Sequence, residues 1–138
     1  MIGLLVVSHG QLAEALLGTA GEIVGPFPSA EALAISRHEP LNEVEERIRA
    51  AVGRVDAGDG VLILADMFGG TAANVALRMV GDQRIEVVTG CNLPMLLKLS
   101  SAIATSTDLL SLAQLLKFYG QRNVIVASEL LKEREQDA

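Results

Sequence analysis

Short aliphatic runs, each closing on a glycine or polar residue and each followed by a stretch of helical period, leave few folds open to this chain. Ile2-Gly3-Leu4-Leu5-Val6-Val7 leads into Ser8-His9-Gly10, and Val61-Leu62-Ile63-Leu64-Ala65 leads into Asp66 and a glycine pair. Runs this short and this apolar read as strands covered on both faces. Further strands are expected over residues 31–36, 84–89 and 123–127.

Between these runs the apolar period changes to that of a helix. Residues 11–24 carry Leu12, Leu16, Leu17, Ala20, Ile23 and Val24 at helical spacing, and Gly25-Pro26 and Pro28 end the segment. Asn42 stands three residues before Glu45, a capping-box spacing that predicts a helix start there. Its buried stripe would be Val44, Ile48, Ala51, Val52 and Val55, with Glu43, Glu46, Arg47 and Arg49 turned to water. Later helices are predicted over about 71–80 (stopped by Gly81), from Pro94 through about 104, and over about 107–119, with Gly120 as the stop. A charged tail covers about 129–138, densest from Lys132 to Ala138. Uninterrupted alternation of strand and helix predicts one α/β domain over 1–138, an open, doubly wound, mostly parallel sheet with helices on both faces.

Composition narrows the function classes. A net charge of −6 argues against nucleic acid as a partner, because phosphate backbones demand clustered Lys and Arg. The apolar runs are far too short to span a bilayer, and no basic, apolar and cleavage-site sequence marks a signal peptide at the N-terminus. Cys91 is the sole cysteine, which fits a reducing cytoplasm and points to a small apolar filler. With two histidines in the chain, metal chemistry has little to work with: His38 sits between Arg37 and Glu39 and reads as a solvated loop residue. No metal and no cofactor are expected. The chain has neither a Gly-x-x-x-x-Gly-Lys phosphate loop nor a Gly-x-Gly-x-x-Gly fingerprint, so bound nucleotide is not indicated.

If the strands are parallel, three polar or glycine-rich loops share one rim, where open α/β sheets collect their ligands. They are Ser8-His9-Gly10, Asp66-Met67-Phe68-Gly69-Gly70-Thr71 and Gly90-Cys91-Asn92-Leu93-Pro94. His9, at the end of the first strand and before a helix, can carry a phosphoryl group or can simply close the sheet edge. Asp66 can orient His9 through one ring nitrogen and leave the other as nucleophile, or can cap the helix that follows. Gly10, Gly69 and Gly70 allow close approach of backbone N–H groups to phosphate oxygens, with the Thr71 hydroxyl as a further donor. The bland reading of the same turn has Thr71 as a helix N-cap.

These three motifs, Leu5-Val6-Val7-Ser8-His9-Gly10 with Ala13-Glu14-Ala15-Leu16-Leu17, Asp66 through Asn74, and Gly90 through Leu96, resemble the IIA component of the mannose-type phosphoenolpyruvate-dependent sugar phosphotransferase system (PTS). The resemblance runs from residue 2 to about 127. It implies that the phosphocarrier protein HPr donates a phosphoryl group to a histidine matching His9, with Asp66 as its orienting aspartate, and that a IIB partner accepts it. The family's Gly-Gly-Ser-Pro turn matches Gly69, Gly70, Thr71 and Ala72; Thr71 keeps a hydroxyl, and Ala72 replaces the proline. The family fold implies four parallel strands plus a C-terminal antiparallel strand exchanged between two subunits, which fits 123–127 and implies a homodimer. Met67, Phe68, Asn92 and Leu93 are candidates for partner docking, or the apolar ones among them are buried. The resemblance also implies a cytoplasmic phosphotransferase, with peripheral association with a membrane permease complex allowed. No fused IIB domain lies within these 138 residues, so the acceptor is expected on another chain. A regulatory module using the same phosphorylation, a relative that works with a dihydroxyacetone kinase, and a metal chelatase are the competing readings; the sugar is not encoded in any of these motifs.

Overall fold

The computed structural model describes residues 1–81 and 84–137. The chain runs β1 (Gly3–His9), α1 (Leu12–Val24), β2 (Ala30–Ile35), α2 (Leu41–Val55), β3 (Val61–Ala65), α3 (Thr71–Leu77), β4 (Ile85–Val88), α4 (Leu93–Ala102), α5 (Leu109–Arg122) and α6 (Ala127–Asp137). The four strands form one parallel sheet in the order β2-β1-β3-β4.

Strand periodicity divides the sheet's side chains between two cores. Leu5, Val7, Ile35, Val61, Ile63 and Ile85 face α2 and α3, packing on Val44, Ile48, Val52, Val75 and Met79. Leu4, Val6, Leu62, Leu64 and Val88 face the other way, onto Ala13, Ala20, Met95, Leu96, Leu99, Leu112 and Leu116. Both faces are therefore covered, which is why β1 and β3 are apolar throughout rather than alternating. Helix α1 reaches its core with small residues: Ala13 and Ala20 are fully buried. Leu12, Ile23 and Val24, expected on the buried stripe, are instead exposed, because the compact alanines let that face sit closest to the sheet.

Several element ends differ from expectation for local reasons. The N-cap of α2 is Pro40, in an extended conformation with no side-chain cap, and Asn42 lies exposed within the first turn. Helix α3 is α-helical only to Leu77; Arg78, Met79 and Val80 continue it as tighter turns, bonding to the carbonyl three residues back. Gly81 then closes it at φ +91°. Gly120 does not stop α5. It is buried inside that helix, where the Met95 side chain occupies the space a Cβ would need, so it is a packing glycine.

The expected last strand does not form among the described residues. Among the described residues, 124–126 have no regular secondary structure and enter no strand pair, and Val124, Ile125 and Val126 are exposed. Their β-branched composition favours a strand only where a neighbouring strand offers a ladder. The four strands of the described chain are all parallel, and no antiparallel fifth strand is shown among them. The charged tail from 127 onward folds as α6, which buries no side chain; Ala138 lies outside the described residues. Among the described residues no helix is long and apolar enough to cross a membrane.

Candidate functional site

The order β2-β1-β3-β4 creates one point where successive connections leave in opposite directions, between the adjacent strands β1 and β3. Crevices at such points, beyond the strands' carboxyl ends, are where α/β sheets bind ligands. His9 is the last residue of β1, and Asp66 follows the last residue of β3. The strands pair Val7 with Ala65, so the two loops leave the sheet side by side.

Asp66 grips His9 twice. Its Oδ2 accepts the His9 backbone N–H at 3.0 Å and lies 2.8 Å from the ring Nδ1. Its Oδ1 accepts the Met67 N–H at 2.9 Å. Burial opposes a charge on Asp66, but the His9 N–H, the His9 ring and the Met67 N–H together outweigh it and hold the carboxyl below its ordinary pKa. At neutral pH Asp66 is therefore a carboxylate, which can only accept. Nδ1 must then be the nitrogen that carries the proton and donates it, and in the neutral ring Nε2 is left with a free lone pair. The His9 side chain is 38% exposed against 10% for Asp66, so the free edge of the imidazole is reachable while its anchor is not.

The two glycines after β3 serve different needs. Gly69 adopts φ +87°, a conformation costly for any other residue, and a Cβ there would meet nothing. Gly70 has an ordinary φ of −78°, but a Cβ on it would lie 2.8 Å from His9 Cε1 and 3.5 Å from Nε2. Gly70 is thus glycine because the imidazole occupies the space. It is also the N-cap of α3, and Thr71 is the first helical residue rather than the cap. Asp66 does not cap α3 either; its oxygens are directed to His9 and Met67. Gly10, at φ +56°, turns the chain from β1 into α1.

The remaining candidates divide by exposure. Met67 and Phe68 are 52% and 71% exposed on the His9 rim. Leu93 is half-buried against the core under α4. Asn92 is a structural residue: its Oδ1 accepts the Met95 N–H and its Nδ2 donates to the Gly120 carbonyl, tying α4 to α5. Cys91 is half-buried, and burial, aided by the charge of Asp66, pushes its thiol up to about 11. His38 is exposed in the loop after β2, and among the described residues no three His, Cys, Asp or Glu side chains are grouped to hold a metal ion. A groove of about 520 Å³ between β4 and α5 lies along the open sheet edge rather than over His9.

One participant went unnoticed in the sequence. Ser8 is fully buried, and its Oγ accepts the Ala13 N–H at 2.6 Å and donates to the His9 carbonyl at 3.1 Å. The signal was its position: strand alternation sends residue 8 to the α1 face, where a hydroxyl must find partners.

The family described as PTS system fructose IIA component, EIIA-man, matches residues 3–115. The chain belongs to this EIIA-man family. A PTS system fructose-specific EIIA component of Bacillus subtilis (strain 168) is 31% identical over 134 residues, covering 96% of this chain and 91% of that protein. A PTS system mannose-specific EIIAB component of Escherichia coli (strain K12) is 34% identical over 98 residues, 70% of this chain but 30% of that longer protein. Among solved structures, a mannose/sorbose specific IIA subunit of the phosphotransferase system from Enterococcus faecalis is similar at a TM-score of 0.79 and 31% identity, covering 91% of this chain and 93% of that one. This EIIA-man protein is accordingly a phosphotransfer component of the PTS, built on the α/β fold of its relatives.

Proposed function

We propose that this chain is a phosphocarrier in which His9 Nε2 accepts a phosphoryl group from HPr and passes it to a IIB partner. The observation that carries this reading is the 2.8 Å contact between Asp66 Oδ2 and His9 Nδ1, which leaves an accessible Nε2 as nucleophile. In the forward step the Nε2 lone pair forms a bond to phosphorus. The bond from phosphorus to the donor atom of HPr breaks, and its electron pair stays with HPr. The ring gains positive character, which the Asp66 carboxylate offsets through Nδ1–H. Transfer to IIB is the same displacement with His9 as leaving group.

A phosphoryl group on Nε2 would stand beside Gly70, whose would-be Cβ position is 3.5 Å from that nitrogen. The N–H groups of the first turn of α3 have no intrahelical acceptor and can meet phosphate oxygens, with the Thr71 hydroxyl as a further donor. Gly10 and Gly69 shape the turns on either side. Relay chemistry of this kind rests on positioning and charge stabilisation rather than on an enclosed cavity. The rim suits that need, because Met67 and Phe68 present apolar surface next to an open imidazole, a surface on which HPr and IIB can dock in turn. We assign the protein to the cytoplasm, in peripheral contact with a membrane permease complex.

We further propose a homodimer in which residues 123–127 pair with the open edge of β4 in a second copy. Val124, Ile125 and Val126 are exposed, and the groove beside β4 is lined by Val88, Met95, Lys117 and Val124. Sedimentation should give a dimer that Val124→Asp with Ile125→Asp dissociates; a monomeric wild type removes this part of the proposal.

The function is tested by incubating the protein with labelled phosphoenolpyruvate, Enzyme I and HPr. Acid-labile, base-stable label on the wild type and none on His9→Ala is the expected result. An unlabelled wild type, or equal labelling of His9→Ala, defeats the proposal.

A further inference from the structure

We infer that Ser8 is a positioning residue for His9, an inference that rests on the relay reading above. Strand alternation places Ser8 on the α1 face of the sheet, in line with Leu4 and Val6 and fully buried. A hydroxyl in such surroundings is unfavourable unless it is bonded, and an alanine would fill the end of the strand without that burden. The Ser8 hydroxyl is bonded twice. It accepts the N–H of Ala13, at 2.6 Å, and donates to the carbonyl of His9, at 3.1 Å.

Those two bonds span the turn that carries the nucleophile. Ala13 is the second residue of α1, and its N–H is one of the first-turn donors with no intrahelical partner. The N-cap residue, Gln11, supplies no side-chain cap, so Ser8 caps the helix from the strand instead. The His9 peptide is thereby held from both sides, its N–H on Asp66 Oδ2 and its carbonyl on Ser8 Oγ. Between Ser8 and Ala13, the two ends of this brace, the chain passes through Gly10 at φ +56°, a residue with little stiffness of its own. Ser8 touches neither the ring nor the phosphoryl group. It fixes where β1 ends relative to where α1 begins, and so where Nε2 stands for in-line attack. Displacements well under an ångström matter for such a step.

The test compares single-turnover phosphoryl transfer from phosphorylated HPr in the wild type, Ser8→Cys, Ser8→Ala and Ser8→Thr. Alanine removes the hydroxyl, cysteine keeps the shape with a bulkier atom and loses the strong acceptor, and threonine keeps the hydroxyl on a residue suited to a strand. Transfer at saturating donor is expected to fall about tenfold in Ser8→Cys and Ser8→Ala, with half-saturation by HPr unchanged. Ser8→Thr should transfer within about threefold of the wild type. Val52→Ala, a cavity in the core beneath α2, serves as the stability control and should leave transfer intact. A wild-type rate in Ser8→Cys overturns the inference, as does equal slowing in Val52→Ala at a matched loss of stability; if Ser8→Ala does not fold, the Cys and Thr variants decide. Failure of the wild type itself to take label overturns the relay reading and the role of Ser8 with it, whereas a labelled wild type and an equally fast Ser8→Cys overturn the role of Ser8 alone.

Discussion

A single oxygen of Asp66 holds both the backbone and the ring of His9: Oδ2 accepts the His9 N–H at 3.0 Å and lies 2.8 Å from Nδ1. The double grip fixes position and tautomer together. An ionised carboxylate can only accept, so the ring proton is kept on Nδ1 and the lone pair on Nε2.

Asp66→Asn tests the tautomer without emptying the site. When the amide turns its NH₂ toward Nδ1, that nitrogen must accept and the ring proton moves to Nε2, while the NH₂ also displaces the acceptor of the His9 backbone N–H. Transfer should fall by roughly 10²–10⁴-fold. Long-range ¹H–¹⁵N spectra of the His9 ring should show the exchange of protonated nitrogens, and an unchanged rate removes the orienting role of Asp66.

Gly69→Ala and Gly70→Ala should separate backbone strain from ring clearance. At 69 a side chain has space but the wrong φ, so stability should drop by about 1–2 kcal/mol in urea titrations with transfer largely kept. At 70 the φ is tolerant but a methyl would press on His9 Cε1 at 2.8 Å, so the ring must turn away. Transfer should then fall at least about tenfold, with a smaller loss of stability. The reverse pattern would show that Gly70 is not there for the imidazole.

Acid should weaken the fold through Asp66 and Glu39. Hydrogen bonds from Ser36 and Arg47 lower the Glu39 carboxyl, while Asp66 is lowered by His9 and Met67 against its own burial. A carboxyl with a folded pKa below its unfolded value stabilises the protein above the unfolded pKa and loses that contribution as pH falls through the folded one. Urea midpoints should therefore be level near about pH 6 and decline from about pH 4 downward. Asp66→Asn should flatten that decline, and an equally steep decline in the variant contradicts the assignment.

The thiol of Cys91 should be inert near neutrality. With its pKa at about 11, against an ordinary value of 9.0, it carries about 100-fold less thiolate than a free cysteine. Alkylation by iodoacetamide should be slow at neutral pH and accelerate steadily into the alkaline range. Rapid labelling of the native protein at neutral pH would show that burial does not govern this side chain.

The central strands and their ends were legible because they depend on chemistry within a few residues. Five consecutive aliphatics at 61–65 became β3 with the same bounds, and the polar residues at the ends of the two central strands include both halves of the His9–Asp66 pair. What escaped depends on partners distant in sequence. Gly120 reads as a helix stop until Met95 is seen lying against it, and Asn42 reads as a cap until Pro40 takes that place. Val124-Ile125-Val126 has the composition of a strand, yet a strand needs a neighbour, and no described strand of this chain pairs with it. The role of Ser8 depends on its bonds to the His9 carbonyl and the Ala13 N–H, which no residue type or spacing announces. Gly70 was read as room for phosphate, and the geometry shows first that it is room for the ring.

The relay depends on which nitrogen of His9 carries the phosphoryl group. A ¹H–³¹P and ¹H–¹⁵N correlation spectrum of the protein phosphorylated through Enzyme I and HPr reads this directly. Phosphorus bonded to His9 Nε2, with Nδ1 still protonated against Asp66, is the predicted result. Phosphorus on Nδ1, or on any residue other than His9, would contradict it.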